Sequence, residues 1–381
     1  MKKLSVAVAI CCALATSSAS AEVRINGFAS IVGGKSLDSD QTLYGYDDDI
    51  SFKNESVFAL QLTADLQEKL TATAQIVARG ANDFDADFEW AYLTYEFSDD
   101  LQLSAGKMRL PLFRYSDFLD VGYTYRWVRP PQSVYNLPFS TYEGLSLLHT
   151  TQLGDWDSTV QVVYGSFDDN IAVVSVNGDT ELNNMAGVNW SLSYDWFSAR
   201  AAYFIADTSI GIQNDTAEGM ALNGLEQALR SSGFSDQAND IAINEDDSYF
   251  LAFGFSIDYN NILFDAEYTE FEVENSALAK QTQYYTSLGY RMDEVTVHLT
   301  YENNDDKHDS SRYNALPTVP PLNAGLNQAL EGSKAKSNVY TIGARYDFHP
   351  MAALKVDFSR FEDDITNTET DVVAVGVDLV F

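Results

Sequence analysis

The sequence predicts an all-β chain, a transmembrane antiparallel β-barrel of sixteen strands. Three observations lead there. Segments of about ten residues alternate apolar and polar side chains, the period-two signature of a strand with two unlike faces. The connections between these segments are alternately short and long. Past the N-terminal region, the 381-residue chain holds no apolar run near the ~18 residues a membrane-crossing helix requires.

At the N-terminus, Lys2 and Lys3 precede a mostly apolar run from Leu4 to Ala15, and Ala19-Ser20-Ala21 follows as a small-x-small site. This is the pattern of a secretory signal peptide, with cleavage after Ala21 and a mature barrel over 22–381. Cys11 and Cys12 both fall inside the leader, so the mature chain carries no thiol, disulfide or cysteine metal site.

Sixteen segments then carry the alternation: 23–33, 54–66, 70–79, 88–98, 101–110, 142–153, 156–166, 183–196, 197–207, 247–260, 262–274, 280–292, 295–303, 337–348, 352–361 and 370–381. In one, Phe58, Leu60, Leu62 and Ala64 oppose Ala59, Gln61, Thr63 and Asp65. In the last, Val373, Val375, Val377, Leu379 and Phe381 oppose Ala374, Gly376, Asp378 and Val380. Such a strand can turn one face to lipid and the other to water. Short turns fall near 67–69, 99–100, 154–155, 196–197, 260–261, 293–294 and 350–351; long connections fall near 34–53, 80–87, 111–141, 167–182, 208–246, 275–279, 304–336 and 362–369. An even strand number puts both termini on the short-turn rim and lets the first strand pair with the last, which removes the open edges lipid would not tolerate. A barrel of about sixteen strands is also too wide for its own side chains to fill, so the count implies an aqueous channel.

Composition agrees. The 22 tyrosines and 22 phenylalanines suit aromatic girdles at two membrane interfaces. A mean hydropathy of −0.19 is what alternating faces average to. No linker divides the chain. The net charge of −33, which becomes −35 without Lys2 and Lys3, excludes a nucleic-acid partner. Outside the leader, His149, His298, His308 and His349 stand in no recognisable catalytic motif, so no enzyme activity and no cofactor are expected. Asp83, Asp85 and Asp87 lack the glycine and the twelfth-position glutamate of a calcium loop, and no metal site is expected.

Strand parity sends Arg24, Arg79, Arg200, Asp265, Glu267, Arg291 and Arg345 to the lumen wall, because a charge facing mid-bilayer lipid costs ~2–4 kcal/mol. Lys107 and Arg109 share parity with Leu101, Leu103 and Ala105; a bulge near Gly106 would flip them inward. The connection 111–141 concentrates Arg114, Arg126 and Arg129 among Tyr115, Tyr123, Tyr125, Trp127 and Tyr135. Two readings stand for it: an eyelet lined by arginine, which would favour anions, or arginines that Asp117, Asp120 and Glu143 neutralise to hold the segment together. Gly224–Leu229 and Gly325–Leu330 match at five of six positions, and their leucine spacing suggests a short amphipathic helix in each of two long connections.

The leader, the sixteen-strand rhythm and the terminal aromatic resemble Gram-negative outer-membrane porins over the whole chain. The segment R-L-P-L-F-R-Y-S-D-F-L-D-V-G-Y-T-Y-R-W-V-R-P-P, Arg109 to Pro131, resembles the third extracellular loop of a group with general and anion-leaning members. The resemblance implies that 111–141 folds into the barrel as a constriction, with Lys107, Arg109, Arg114, Arg126, Arg129, Asp117 and Asp120 as its residues. It implies that Phe381 is an insertion signal and that small hydrophilic solutes diffuse passively across the outer membrane. A homotrimer in contact with outer-membrane lipid and lipopolysaccharide is implied too, and its centre is a second place Lys107 and Arg109 could face. A structural or adhesive barrel without channel activity is the alternative at this point.

Overall fold

The structure, a computed structural model, describes residues 22–381 apart from 40, 174–175, 310 and 312–316. The expected leader, 1–21, lies outside the described residues. The strands are β1 (Val23–Ser36), β2 (Val57–Gln67), β3 (Leu70–Arg79), β4 (Ala86–Ser98), β5 (Leu101–Arg109), β6 (Thr141–Leu153), β7 (Trp156–Val173), β8 (Val176–Tyr194), β9 (Phe197–Ile212), β10 (Asp246–Tyr259), β11 (Ile262–Val273), β12 (Gln281–Met292), β13 (Val295–Asp305), β14 (Lys336–His349), β15 (Ala352–Asp363) and β16 (Thr368–Val380). Each pairs antiparallel with its sequence neighbours, and β1 pairs with β16, from Phe28 opposite Val380 to Ser36 opposite Val372. The sheet is a closed barrel of sixteen strands, as the alternation predicts.

Closure at the seam is completed by Phe381. Its carbonyl accepts from Gly27 N–H at 2.7 Å, and its own N–H donates to the Gly27 carbonyl at 2.9 Å. A side chain at position 27 would collide with the Phe381 ring, which lies across the glycine and stacks on Phe58 with centroids 6.1 Å apart.

The turns explain the short connections. Lys69, Gly154, Asp195, Asn260 and Asp293 all have φ between 47° and 68°, the left-handed conformation that lets two residues reverse a strand. On the walls the alternation holds. Phe58, Leu60 and Leu62 are exposed whereas Ala59 between them is fully buried. Aromatic rings cluster towards both ends of the outer face. Near the short turns, Trp156 meets Tyr194 at 5.1 Å and Trp196 meets Tyr259 at 5.8 Å. Towards the other rim, Tyr301 contacts Tyr284 at 6.0 Å and Tyr340 at 5.3 Å. Rings that are apolar in body and polar at the tip suit the lipid–water boundary.

Two expectations about connections need correction. The stretch 167–182 is not a long loop: β7 and β8 run on as one hairpin, from Phe167 opposite Leu182 to Val173 opposite Val176. β9 likewise continues to Ile212, which pairs with Gly178. Phe167, Ile171, Ile210 and Ile212 give these extensions enough β-branched and aromatic character to keep pairing.

The related segments in the long connections form helices: α2 (Ala217–Ser231), followed by α3 (Ser235–Ile241), and α4 (Pro320–Gly332); a single turn, α1 (Gln132–Tyr135), precedes them. Thr216 caps α2 by accepting from Gly219 N–H at 3.0 Å, and proline opens α4, where a missing N–H costs nothing. Leu229, Ala238, Ile241, Leu322, Leu326 and Leu330 bury one another between the helices. A Cβ on Gly325 would stand 2.8 Å from the Leu225 side chain, so glycine sets how closely α2 and α4 approach.

Asp306, just past β13, accepts from the N–H of Thr282 at 3.3 Å and of Ala335 at 3.2 Å, joining β12, β13 and the exit from α4. Burial pushes its carboxyl up to about 7, more than these hydrogen bonds lower it. A carboxyl whose folded pKa is raised stabilises the fold below its unfolded pKa and loses that contribution as pH rises through the folded value. The α4 connection is therefore expected to resist protease better at pH 5.5 than at pH 8, and Asp306→Asn to flatten that difference. Limited proteolysis of the detergent-solubilised protein at the two pH values measures it.

Candidate functional site

The 110–140 segment, between β5 and β6, carries an apolar core of its own. Leu110, Leu112, Phe113, Trp127, Val134 and Tyr135 are buried against Met185, Phe204, Phe250, Ala252 and Tyr285 of β8, β9, β10 and β12. Its polar groups meet charged side chains of inward parity, in three places.

The first is acidic wall on β11 to β13. Asp265 accepts from the Arg126 guanidinium at 2.6 Å and lies 3.6 Å from Nε of Arg114. Glu267 accepts from the Arg114 backbone N–H at 2.8 Å and from the Tyr135 hydroxyl. Glu302 accepts from Ser133 N–H at 2.9 Å, and Trp127 Nε1 donates to Thr300 Oγ1 at 2.8 Å.

The second is a clamp on β14 to β16 and β1. Lys355 is wholly buried. Its ammonium lies 2.7 Å from Asp378 and donates to the carbonyls of Gly122 and Trp127, the latter at 2.8 Å. Asp378 also accepts from Ser30. Asp357 accepts from Val128 N–H at 2.8 Å and stands 3.1 Å from Nε2 of His298. Arg345 donates to the carbonyls of Tyr123 and Tyr125 at 2.6 and 2.7 Å. Any side chain at Gly122 would collide with Asp378 and Ser30.

The third involves β3 to β5. Asp120 accepts from Arg79 at 2.9 Å and from Arg109, while Glu89 accepts from Arg79 at 2.9 Å and lies 3.4 Å from Arg109. Burial alone would raise the Asp120 carboxyl; Arg109 and Arg79 outweigh it and leave it below the usual carboxylate range.

These contacts revise the reading of the segment. Arg114, Arg126 and Arg129 are held by carboxylates of the barrel and its first connection: Arg129 pairs with Glu55 and its guanidinium lies 3.9 Å over Tyr44. Asp117 and Asp120 do not neutralise these arginines. They face wall arginines instead, Asp120 as above and Asp117 at 3.5 Å from Arg200. Apart from Arg109, 11 residues before Asp120, each partner lies far along the chain, so counting charges within the segment does not find the pairs. Arg200 also donates to the Pro111 carbonyl at 3.0 Å. Arg24 and Arg291 keep inward parity but stand near the short-turn rim, paired with Asp65 at 2.7 Å and Asp258 at 2.9 Å.

The expected bulge at Gly106 is absent. β5 stays in register with β4 and β6 through that glycine, although its φ is 139°. The irregularity lies on β4, where Gln75 pairs with Trp90 but Ile76 with Phe88, leaving Glu89 as the extra residue. Arg109, at the end of β5, reaches Glu89 and Asp120. Lys107 keeps the parity of Leu103 and Ala105, and among the described residues its ammonium reaches the Phe88 carbonyl alone, at 3.4 Å. Glu89, Glu55, Glu302, Lys355, Asp357 and Asp378 escaped the sequence reading as site residues. Parity could have found Lys355, Asp357 and Asp378; Glu89 required the bulge.

Two cavities flank the third contact. The larger, about 850 Å³, is lined by Tyr44, Glu55, Arg79, Asp120 and Arg129 among others. The smaller, about 400 Å³, is lined by Gln75, Trp90, Arg109, Asp117 and Asp120 among others. Asp120 is the residue they share. Among the described residues no group of three or more metal-ligating side chains occurs.

A closed sixteen-stranded ring, apolar outside and charge-lined inside, defines a membrane-spanning channel barrel. The chain belongs to the Gram-negative porin family, whose model matches residues 6–366, and it forms a channel for passive diffusion across the outer membrane. Solved structures share its fold at low identity. OmpT of Vibrio cholerae with loop L8 deleted, an outer membrane protein, aligns with a TM-score of 0.60 at 12% identity, over 95% of this chain and 99% of that one. The outer membrane channel DcaP of Acinetobacter baumannii aligns at 0.59 and 13%, over 96% and 99%. An anion-selective porin from Comamonas acidovorans aligns at 0.59 and 13%, over 95% and 100%. No curated protein matches the chain.

The clamp makes a stability prediction. Lys355→Met leaves Asp378 buried without its cation, which typically costs about 3–5 kcal/mol. The thermal midpoint of the variant in detergent should fall markedly, and Asp378→Leu added to it should recover part of the loss.

Proposed function

We propose that the 110–140 segment narrows the barrel and that ions and small hydrophilic solutes pass it beside Asp120. The observation that carries this is the shared lining: the two cavities meet at Asp120, between Arg79 and Arg109. Passage is passive, with neither catalysis nor cofactor. Residues 1–21 are removed after Ala21. The barrel assembles as a homotrimer in contact with outer-membrane lipid and lipopolysaccharide, and Phe381 marks it for insertion.

Selectivity on this reading is set by the Asp120 group, not by the segment's arginines. Arg114 and Arg126 share Asp265, and Arg129 has Glu55. A unit charge ~4 Å from an ion's path changes its energy by ~1 kcal/mol in water, about fivefold in occupancy. Salt screens that effect least at low ionic strength. In a dilute KCl gradient across a planar bilayer, Asp120→Asn should move the reversal potential towards anions, and Arg79→Gln with Arg109→Gln towards cations. Arg129→Gln should move it little. A large shift in the last variant with none in the first would place the constriction elsewhere.

A further inference from the structure

The charges of the larger cavity are compensated. Its lining holds three basic and three acidic side chains, Arg79, Arg129 and Lys334 against Glu55, Asp120 and Asp306. Arg129 is paired with Glu55, Arg79 with Asp120 and Lys334 with Glu331. Asp306 is occupied by two backbone N–H groups. In a protein of net charge −33, each basic side chain of this cavity is thus already paired with a carboxylate.

It offers amides instead. Asn54 Nδ2 and Asn304 Oδ1 are buried without a hydrogen-bond partner, and both residues line the larger cavity. One is a donor and the other an acceptor. Gln283 lies opposite Asn304 across β12 and β13 and lines the same wall. Gln281, two residues before it, has a side-chain amide that no described residue engages. The smaller cavity repeats the pattern: Gln75 Oε1, an acceptor, and Trp90 Nε1, a donor, are buried, unpartnered and part of its lining. A buried polar atom without a partner costs ~1–3 kcal/mol. Here such atoms occur as donor–acceptor sets on both sides of Asp120, with Arg129 Nη2 in the larger lining and Arg109 Nε in the smaller as further unpartnered donors that a hydroxyl can also satisfy.

We infer that the two cavities form a binding track for neutral, polyhydroxylated solutes of mono- to disaccharide size. A hydroxyl both donates and accepts, so one kind of group satisfies Asn54 Nδ2, Asn304 Oδ1, Gln75 Oε1 and Trp90 Nε1 in turn. A phosphate or carboxylate only accepts, and an ammonium only donates. Phe271 and Tyr44, also in the larger lining, supply apolar ring faces for the C–H side of a sugar. The volume of about 850 Å³ falls within the ~300–1,000 Å³ that small-molecule sites span. This track rests on the diffusion path proposed above.

The test is current block in planar bilayers, with the purified channel in KCl. Sucrose is added, and polyethylene glycol of the same mass and glucose 6-phosphate are compared with it. Each variant's own sugar-free conductance reports that it has folded and inserted. The expected result is block that saturates with sucrose and does not saturate with the polymer. The sugar phosphate should bind no better than sucrose. Asn304→Ala and Gln281→Ala should each raise the half-blocking sucrose concentration roughly three- to tenfold, the loss of about one neutral hydrogen bond. Sucrose block that stays linear, that polyethylene glycol reproduces, or that neither variant alters would overturn the track while leaving the channel intact. Failure of the wild-type protein to conduct ions at all would instead overturn the diffusion path.

Discussion

A charge inside a protein needs a partner more than it needs a position, and the interior of this barrel is organised by that rule. The ring of strands presents acids on β11 to β13, from Asp265 to Glu302, and bases on β3, β9, β14 and β15, from Arg79 to Lys355. The 110–140 segment carries the complementary groups on its two flanks: arginines towards the acids, and carboxylates and bare carbonyls towards the bases. Neither the ring nor the segment could bury these groups alone. The apolar core of Phe113, Trp127 and Tyr135 is built on top of that match.

How far the sequence could be read follows from the same rule. Alternation sees one residue at a time and its two faces, which suffices for a wall. Strand number, seam, short turns and the inward positions of Arg79, Arg200, Asp265, Glu267 and Arg345 were all legible that way. Pairing is a different matter. The guanidinium groups of Arg126 and Arg114 both meet Asp265, 139 residues beyond Arg126, and nothing local in the chain distinguishes a guanidinium that faces water from one that faces Asp265. The arginine-rich segment therefore read as basic when its own charge is spent on anchoring.

Parity itself failed at one place, for a mechanical reason. The Lys107 to Arg109 stretch looked as though it needed a bulge on β5. The extra residue sits on the neighbouring strand, at Glu89, where Phe88 and Trp90 disguise it as ordinary alternation. A bulge belongs to a pair of strands, so a single strand's pattern can show that something must bend without showing which strand does. The helices were legible as leucine spacing, but their mutual packing, with Gly325 against Leu225, is a contact between two connections that are remote in sequence.

The clamp around Gly122 has a consequence for how the molecule comes into being. Gly122 lies 233 residues before Lys355, and Ser30 lies 348 before Asp378. Contacts of such separation form late, because the entropy of closing the loop must be met before they contribute. Until β15 and β16 are in place, the holds of Lys355, Asp357 and Asp378 on the segment are missing and Arg345 of β14 acts there without them. A half-assembled chain would then be a curved sheet whose strap is moored on one side only. Docking of the final strands joins the seam and seats the strap in the same step. Closure of the ring and seating of the strap are thus coupled in time, so the last strands to dock are also the ones that fix the strap's second flank.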